Sequence, residues 1–208
     1  MIYMSPQQIT EKYGRFKGVL HIGSHYAEER DDYISAGIAR RVWVDANPVI
    51  AQELSEKISS TNDTVVLAAV SEFDNETVRF NVANNGQSSS ILPMKLHRNF
   101  YDGIFYTGYY EMKTVSLKTL VENIPQSEEL DMINLDIQGV ELRALRGLGD
   151  KISQFRAIYT EVNTLELYEN CDLMHELDEY LMSREFEKIG FMMYSDHGWG
   201  DALYLRRQ

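Results

Sequence analysis

The chain has 208 residues, 44% of them apolar and 25% charged, which is typical of a folded protein and excludes a disordered one. Its 20 basic and 32 acidic residues give a formal net charge of −12 at pH 7, which repels phosphate backbones, and the pairs Arg40-Arg41 and Arg206-Arg207 are too small for a nucleic-acid surface. One cysteine excludes an internal disulfide, no apolar run suits a membrane helix, and the first residues lack a secretory signal; we expect a cytoplasmic protein without nucleic-acid or membrane partners.

The first third of the chain alternates strand and helix patterns. Strands are predicted at GVLHIG (18–23), RVWVDA (41–46) and TVVLAAVS (64–71), and helices at 26–36 and 48–58. The first helix has acidic residues in its opening turns and Gly37 at its end, and the second opens on Asn47-Pro48, an N-cap followed by a proline. Helical crossovers of this length predict a mostly parallel sheet.

The rest of the chain continues this pattern and ends differently. Strands are predicted at 76–85, near Val115, at DMINLDIQ (131–138) and at RAIYTEV (156–162); helices at VELRALRGLG and 172–184; and a final antiparallel pair, FEKIGFMMYSD and DALYLRR, joined by HGWG. No repeat, low-complexity tract or linker interrupts the chain. We therefore predict one α/β domain over residues 1–208, with helices on both faces of a twisted sheet and an antiparallel hairpin at its C-terminal end.

The loop after the first predicted strand, Gly23 to Ala27, is placed where open parallel sheets bind ligands. Gly23 allows close approach of a ligand to the backbone, and the N-terminus of the following helix would offer N–H groups to a carboxylate. Asp45 ends the next strand, where a carboxylate can accept both hydrogen bonds of a ribose diol. Two glycines of a dinucleotide fingerprint are missing, which favours a smaller nucleoside with a carboxylate tail, such as S-adenosylmethionine. A plain turn and a helix cap are the alternative reading.

Several stretches together resemble the FkbM-type methyltransferases. They are VLHIGSHYAEERDDYISAGI, VWVDANP, LAAVSE, GQSSSIL, INLDIQGVELRALRGLG, IYTEVNTLELYENC and GWGDALYLR, in that order from about Val19 to Arg206. The resemblance implies a Rossmann-like class I methyltransferase fold, S-adenosylmethionine as donor and a hydroxyl acceptor, often on a sugar or a sugar-decorated metabolite. Two positions depart from the family: His21 replaces an acid, and Ala27 stands where a second glycine is common.

The resemblance also assigns cofactor contacts. It implies that Gly23, Ser24 and His25 line the methionine end of the cofactor, that Asp45 holds the ribose with Ala46 and Asn47 beside it, that Ser71 lies near the adenine, and that Asp136 faces the sulfonium and the acceptor.

Asp136 and Glu161 are the candidates for the chemistry, because they end neighbouring predicted strands and can point into one cleft. One would serve as the general base and the other would orient a hydroxyl. His25 is a third candidate base from the cofactor loop.

Other roles for the two acids remain open. Asp136 could cap the helix that starts near Val140, and Glu161 could pair with Arg156 or Arg143. The two acids could also bind a divalent cation together with Asn163, but this signal is weak and we expect no metal.

The acceptor region is predicted at GQSSSIL and the aromatic stretch that follows. Ser88, Ser89, Ser90, His97 and Tyr106 are the predicted substrate contacts. The aromatic residues at 100, 101, 105, 106, 109 and 110 could form a platform for a sugar ring, or equally a homodimer face or a satellite core.

The sequence therefore favours an S-adenosylmethionine-dependent O-methyltransferase that acts on a hydroxyl of a small molecule, a sugar or glycosylated metabolite. The alternatives are a nucleotide-dependent oxidoreductase on a similar sheet and a module that binds S-adenosylmethionine without turnover.

Overall fold

The computed structural model describes residues 3–58, 60–194 and 196–207. Its strands are β1 (Gly18–Ile22), β2 (Arg40–Asp45), β3 (Asp63–Leu67), β4 (Ala69–Ser71), β5 (Thr77–Ala83), β6 (Tyr106–Ser116), β7 (Met132–Leu135), β8 (Ala157–Asn163), β9 (Phe186–Met193) and β10 (Trp199–Arg206). Its α-helices are α1 (Pro6–Tyr13), α2 (Arg30–Ser35), α3 (Pro48–Lys57), α4 (His97–Phe100), α5 (Leu117–Asn123), α6 (Glu141–Arg146) and α7 (Met174–Ser183). Two 3₁₀ turns lie at Ser127–Glu129 and Gly149–Gln154.

The main sheet has seven strands in the order β3-β2-β1-β7-β8-β10-β9. The first five of these run parallel to one another, and β10 is antiparallel to both β8 and β9. The predicted parallel sheet with a C-terminal antiparallel hairpin is confirmed. β1 and β2 are buried along their whole length, because helices cover both faces of the sheet.

The two faces of the sheet have separate cores. On one face Leu20, Ile133 and Ile158 pack with buried residues of α5, α6 and α7. On the other face Trp43 and Met132 pack with buried residues of α1, α2 and α3. The side chains of a strand alternate between these faces, so the register of each strand fixes the face from which its last side chain projects.

The predicted strand at 64–71 is two strands in different sheets. β3 pairs with β2 at the edge of the main sheet, and β4 pairs with β6 in a three-stranded sheet of order β4-β6-β5. The break falls at Ala68, whose N–H donates the last hydrogen bond of the β2–β3 ladder to the carbonyl of Asp45. β6 is also far longer than the short strand predicted near Val115, because its pairing with β5 extends it through the aromatic stretch.

The predicted helix at 26–36 is shorter in the structure. His25 and Ala27 have φ values of 44° and 58°, in the left-handed region that a right-handed helix excludes. A turn closed by the Ala27 N–H on the Ser24 carbonyl precedes α2, which begins at Arg30. The expectation that the helix N-terminus follows the loop directly is therefore wrong. By contrast, α3 begins as predicted, with the Asn47 side chain accepting from the N–H of Val49.

None of the helices in the described part of the chain combines the length and apolar character that a membrane span requires.

Candidate active site

A cavity of about 490 Å³ lies over the carboxyl ends of β1, β2, β7 and β8. The loop after β5, helix α4, the segment before α1 and the start of β10 complete its walls. Eleven predicted site residues line it: Gly23, Ser24, His25, Asp45, Ala46, Ser88, Ser89, Ser90, His97, Asp136 and Glu161. The structure thus gathers residues that are up to 138 positions apart in the chain around one space.

Three predicted site residues do not line the cavity. Asn47 caps α3, and the hydroxyl of Tyr106 donates to the carbonyl of Leu92 at 2.7 Å. Ser71 pairs with Ser116 in the small sheet, because the chain leaves the main sheet at the break after β3. The cavity is lined there by residues 68–70.

Glycine is the one residue type that fits at position 23. It has a φ of 79°, and a Cβ there would lie 1.6 Å from the carbonyl oxygen of Asp136. The N–H groups of Gly23 and Ser24 both donate to the carbonyl of Val44, at 2.9 and 3.0 Å. The loop is thereby fixed against the ends of β2 and β7, which positions it beside both Asp45 and Asp136.

Asp45 connects the first two strand-end loops. One carboxylate oxygen accepts from the N–H of His25 at 2.8 Å and the other from the N–H of Asn47 at 2.7 Å. Burial raises the pKa of Asp45, while these two hydrogen bonds favour the ionised form. Each oxygen has two lone pairs, so the carboxylate can still accept from a ligand diol.

His25 is held in place by two neighbours. Its Nδ1 lies 2.6 Å from a carboxylate oxygen of Glu28. Its Nε2 lies against Gly86, where a Cβ would come within 2.8 Å of it. The contact joins the loop after β1 to the serine-rich loop after β5. A role of His25 as the base stays a prediction.

Asp136 and Glu161 are joined through a residue that sequence reasoning did not select. The side-chain amide of Gln138 donates to Asp136 at 2.7 Å and to Glu161 at 2.9 Å. Its oxygen accepts from the hydroxyl of Tyr168 at 2.5 Å. Gln138 has a φ of 58°, so its backbone is held in the left-handed region. Gln138 stands two residues after Asp136 in LDIQG, within the stretch most specific to the family, and this position was the signal in the sequence that could have identified it.

The alternative roles considered for these acids are not the ones observed. Arg156 pairs with Asp131 and Arg143 pairs with Asp172, so neither arginine neutralises Glu161. The loop before α6 is instead capped by Glu141, whose carboxylate accepts from the N–H groups of Ile137 and Gly139. Asp136 is thereby left facing the cavity.

Desolvation and mutual repulsion raise the pKa values of this group. Desolvation, with the nearby charges of Asp201 and Glu29, raises the pKa of Asp136 to about 6. Desolvation and the charge of Asp136 raise the pKa of Glu161 well above its usual value, and desolvation raises that of Glu141 to about 8. Two neighbouring carboxyl groups with pKa values raised in this way suit a pair that handles one proton.

One oxygen from each of Asp136, Glu141 and Glu161 lies within 4.8 Å of the others, a spacing that could hold a cation. Glu141 was not among the ligands considered from the sequence, and Asn163 is not in this group but donates to Glu161 at 3.3 Å. Because Glu141 already accepts from two backbone N–H groups, its first role is to shape the loop.

Some of the predicted acceptor residues bond to backbone carbonyls, and others remain available to a ligand. The Ser89 hydroxyl donates to the Gly86 carbonyl and that of Ser90 to the Gln138 carbonyl, so both shape their loop. His97 is buried, with its Nδ1 unpartnered. Tyr101 lines the cavity and its hydroxyl accepts from the indole N–H of Trp199 at 2.7 Å. The other aromatic residues of the platform lie elsewhere: positions 100 and 106 join a satellite core, and 105, 109 and 110 are exposed.

The comparisons with known proteins agree with this geometry. The family described as "Methyltransferase FkbM domain" matches residues 19–191, and the chain belongs to it. No curated protein sequence matches significantly. The predictions of the family, of the class I methyltransferase fold and of an S-adenosylmethionine-dependent methyltransferase are confirmed.

Solved structures share the fold at low identity. A protein of the NADB-Rossmann superfamily from Streptococcus agalactiae has 11% identity and a TM-score of 0.55, over 99% of this chain and 69% of that one. TrmK of M. capricolum, solved with S-adenosylhomocysteine, has 11% identity and a TM-score of 0.50, over 98% and 68%. The magnesium protoporphyrin IX methyltransferase of Synechocystis, solved with bound S-adenosylmethionine, has 11% identity and a TM-score of 0.50, over 96% and 74%.

Proposed function

We propose that the protein is an O-methyltransferase that moves the methyl group of S-adenosylmethionine to a hydroxyl of a small-molecule acceptor, a sugar or a glycosylated metabolite. The observation that carries the proposal is the single cavity shared by the Gly23 loop, Asp45 and the Asp136–Glu161 pair. In this proposal Asp45 binds the nucleoside and Asp136 accepts a proton, and both line the same space.

The residues present fit the cofactor. Asp45 can accept from the ribose hydroxyls, and the buried hydroxyl of Ser24, which has no protein partner, lies in the cavity beside it. Residues 68–70 give an apolar edge for the adenine. When bound, S-adenosylmethionine supplies a methyl group on a positively charged sulfur, which leaves as a neutral thioether.

Asp136 is the general base in this proposal. As the acceptor oxygen forms its bond to the methyl carbon and the carbon–sulfur bond breaks, the hydroxyl proton passes to the Asp136 carboxylate and then to solvent. With a pKa of about 6, Asp136 is mostly ionised at pH 7 and can take up that proton. Glu161, whose pKa is raised by burial and by the charge of Asp136, orients the pair through the amide of Gln138. Alignment in such a site can supply roughly 7–11 kcal/mol of the barrier.

A carbohydrate-like acceptor is supported by two features. Tyr101 and Trp199 line the cavity and are locked together by their hydrogen bond, which offers rigid aromatic surface for a sugar ring. Among the described residues, no lysine or arginine lines the cavity, which argues against a phosphate-rich acceptor such as a nucleic acid. We propose action in the reducing cytoplasm, in keeping with the buried, unbridged Cys171.

The test measures binding and turnover separately. Calorimetry with S-adenosylhomocysteine is expected to show binding, and incubation with S-adenosylmethionine and a panel of sugars and glycosides is expected to release S-adenosylhomocysteine and give a product heavier by one methyl group. No cofactor binding would overturn the proposal. Binding without methyl release across the panel would favour the non-catalytic alternative.

A further inference from the structure

Four carboxyl groups, which we call the acidic wall, share one side of the cavity: Glu29, Asp136, Glu161 and Asp201. Asp201 lies on β10 directly opposite Glu161 on β8, in an antiparallel pair. Directly opposed residues project from the same face of a sheet, and like charges in that arrangement destabilise it. Sequence reasoning did not select Glu29 or Asp201.

The acidic wall has no cationic partner among the residues that the structure describes. The arginines and lysines that form ion pairs in this part of the chain pair with acids outside the wall, as Arg156 does with Asp131. His21 lies 3.9 Å from Glu29, but burial lowers the pKa of His21 to about 4, so the ring is neutral at pH 7. Two tyrosines, 159 and 194, donate hydrogen bonds to Asp201 without adding positive charge.

The charges within the wall act on one another. Burial raises the pKa of Glu29 and that of Asp201, and the charge of Asp201 adds to the rise at both Glu29 and Glu161. Within the part of the chain that the structure describes, no cationic side chain therefore neutralises this patch of negative charge.

S-adenosylmethionine accounts for only part of the missing positive charge. Its sulfonium and ammonium groups carry two positive charges and its carboxylate carries one negative charge, which leaves a net charge of +1. The cavity has six carboxyl groups: the acidic wall, Asp45 and Glu28. Even with Asp45 used for the ribose, more carboxyl groups remain than this one positive charge balances, which leaves negative charge for a second occupant.

Two buried polar atoms at or next to the cavity have no hydrogen-bond partner. The side-chain oxygen of Asn163, a residue only 1% exposed, has no hydrogen-bond partner, although the amide nitrogen of the same side chain is directed at Glu161. His97, unlike Asn163, lines the cavity itself; its Nδ1 atom is also unpartnered, and burial lowers the pKa of His97, so the ring is neutral. An amide oxygen and a neutral imidazole nitrogen can both accept hydrogen bonds, and an ammonium group offers three donors.

We propose that the acceptor carries a protonated amine near the hydroxyl that is methylated, and that Asp201 and Glu161 bind this ammonium group, with Glu29 adding to the attraction. The inference rests on the proposed O-methyltransferase function and specifies its substrate class as amino sugars and related amino alcohols. It also disfavours phosphorylated acceptors, which the same carboxylates would repel.

The experiment compares matched acceptors on the protein saturated with S-adenosylhomocysteine. Glucosamine and glucose differ at one position, amine against hydroxyl, and calorimetry at pH 7 gives their affinities. Glucosamine is expected to bind at least about tenfold more tightly than glucose, the change that one charge-assisted hydrogen bond produces. Initial rates of methyl transfer from labelled S-adenosylmethionine to the two sugars provide the second readout.

Two variants separate a specific contact from a general charge effect. Asp201→Asn keeps the shape of the side chain and is expected to reduce the preference for glucosamine to threefold or less. Glu187→Gln removes one negative charge from the exposed side of β9 and is expected to keep the preference. A circular dichroism spectrum and the melting temperature of each variant confirm that it is folded.

Each outcome decides the inference. Equal affinities for the two sugars, binding of neither, or an unchanged preference in Asp201→Asn would overturn amine recognition, and methylation of glucose would leave the O-methyltransferase proposal standing. Stabilisation of the complex by Mg²⁺, with loss of the glucosamine preference, would assign the charge to a metal instead. Failure to bind S-adenosylhomocysteine at the outset would mark a failure of the proposed function itself.

Discussion

At the loop after β1, the Asp45 carboxylate accepts from backbone N–H groups, whereas carboxyl groups of the acidic wall accept from neutral side chains and lie close to one another. Asp45 satisfies two backbone N–H groups, and Gly23 and Ser24 bond to the end of β2. Asp201 and Glu161 instead oppose each other across two strands without a cation among the described side chains. The difference teaches that the first region is pre-formed by its own hydrogen bonds, while the second carries charge that the described side chains leave unbalanced.

The largest effect is expected from Asp136→Asn, which removes the proposed base, one of the four carboxyl groups of the acidic wall. We expect kcat to fall about 10²-fold or more, since general bases contribute about 10²–10⁴-fold, with little change in S-adenosylhomocysteine affinity. Steady-state kinetics with calorimetry measures both, and Asp150→Asn, at an exposed acid, is the control. An equal loss of affinity and turnover would indicate a structural role.

The pH dependence of wild-type turnover is expected to follow the ionisation of Asp136. Since the pKa of Asp136 is about 6, kcat/KM should be retained above that pH and lost as the pH falls through it.

The next largest effect is expected on stability, from a substitution in the loop after β1. In Gly23→Ala the new Cβ would meet the Asp136 carbonyl, at a positive φ, so we expect a loss of about 3 kcal/mol in the free energy of unfolding. Gly103→Ala is the matched control, because nothing lies within 4 Å of its Cβ position. Urea unfolding of both variants gives the comparison, and similar midpoints would show that the loop has room to move.

A smaller effect is expected from Asp45→Ala. The variant loses charge-assisted hydrogen bonds to the ribose, each about 1.5–3 kcal/mol, together with the acceptor for the His25 and Asn47 N–H groups. Calorimetry with S-adenosylhomocysteine should therefore show weaker binding by at least about tenfold. Unchanged affinity would remove Asp45 from the cofactor site.

The smallest effect concerns stability and pH at the acidic wall. Acids whose folded-state pKa exceeds the unfolded value favour folding at low pH, and this advantage is lost as the pH rises from about 4 through about 6 for Asp136 and about 8 for Glu141. We expect the ligand-free protein to melt at a lower temperature at pH 8 than at pH 6. Glu161→Gln, which removes the like charge opposite Asp201, should recover about 0.2–1 kcal/mol at pH 8. A variant with the wild-type pH profile would contradict the repulsion.

The strand ends were predictable because each carries a local signal. Buried apolar runs followed by glycine or an acid marked β1, β2, β7 and β8, and strand polarity then brought Gly23, Asp45, Asp136 and Glu161 to one edge. Residues that act through distant partners carry no such signal. Gln138 bonds to Tyr168 thirty positions away, and Asp201 opposes Glu161 only through the register of β8 and β10.

The sequence by itself determined the alternating elements, the family and the edge of the sheet at which the candidate site residues lie, because periodicity and turn residues are local properties of the chain. Only the tertiary structure decided that Ser71 leaves the main sheet, that the helix after the first loop starts at Arg30, and which carboxylates meet. The physical reason is that register and packing arise from contacts between segments far apart in the chain, and a single residue's neighbours do not specify them.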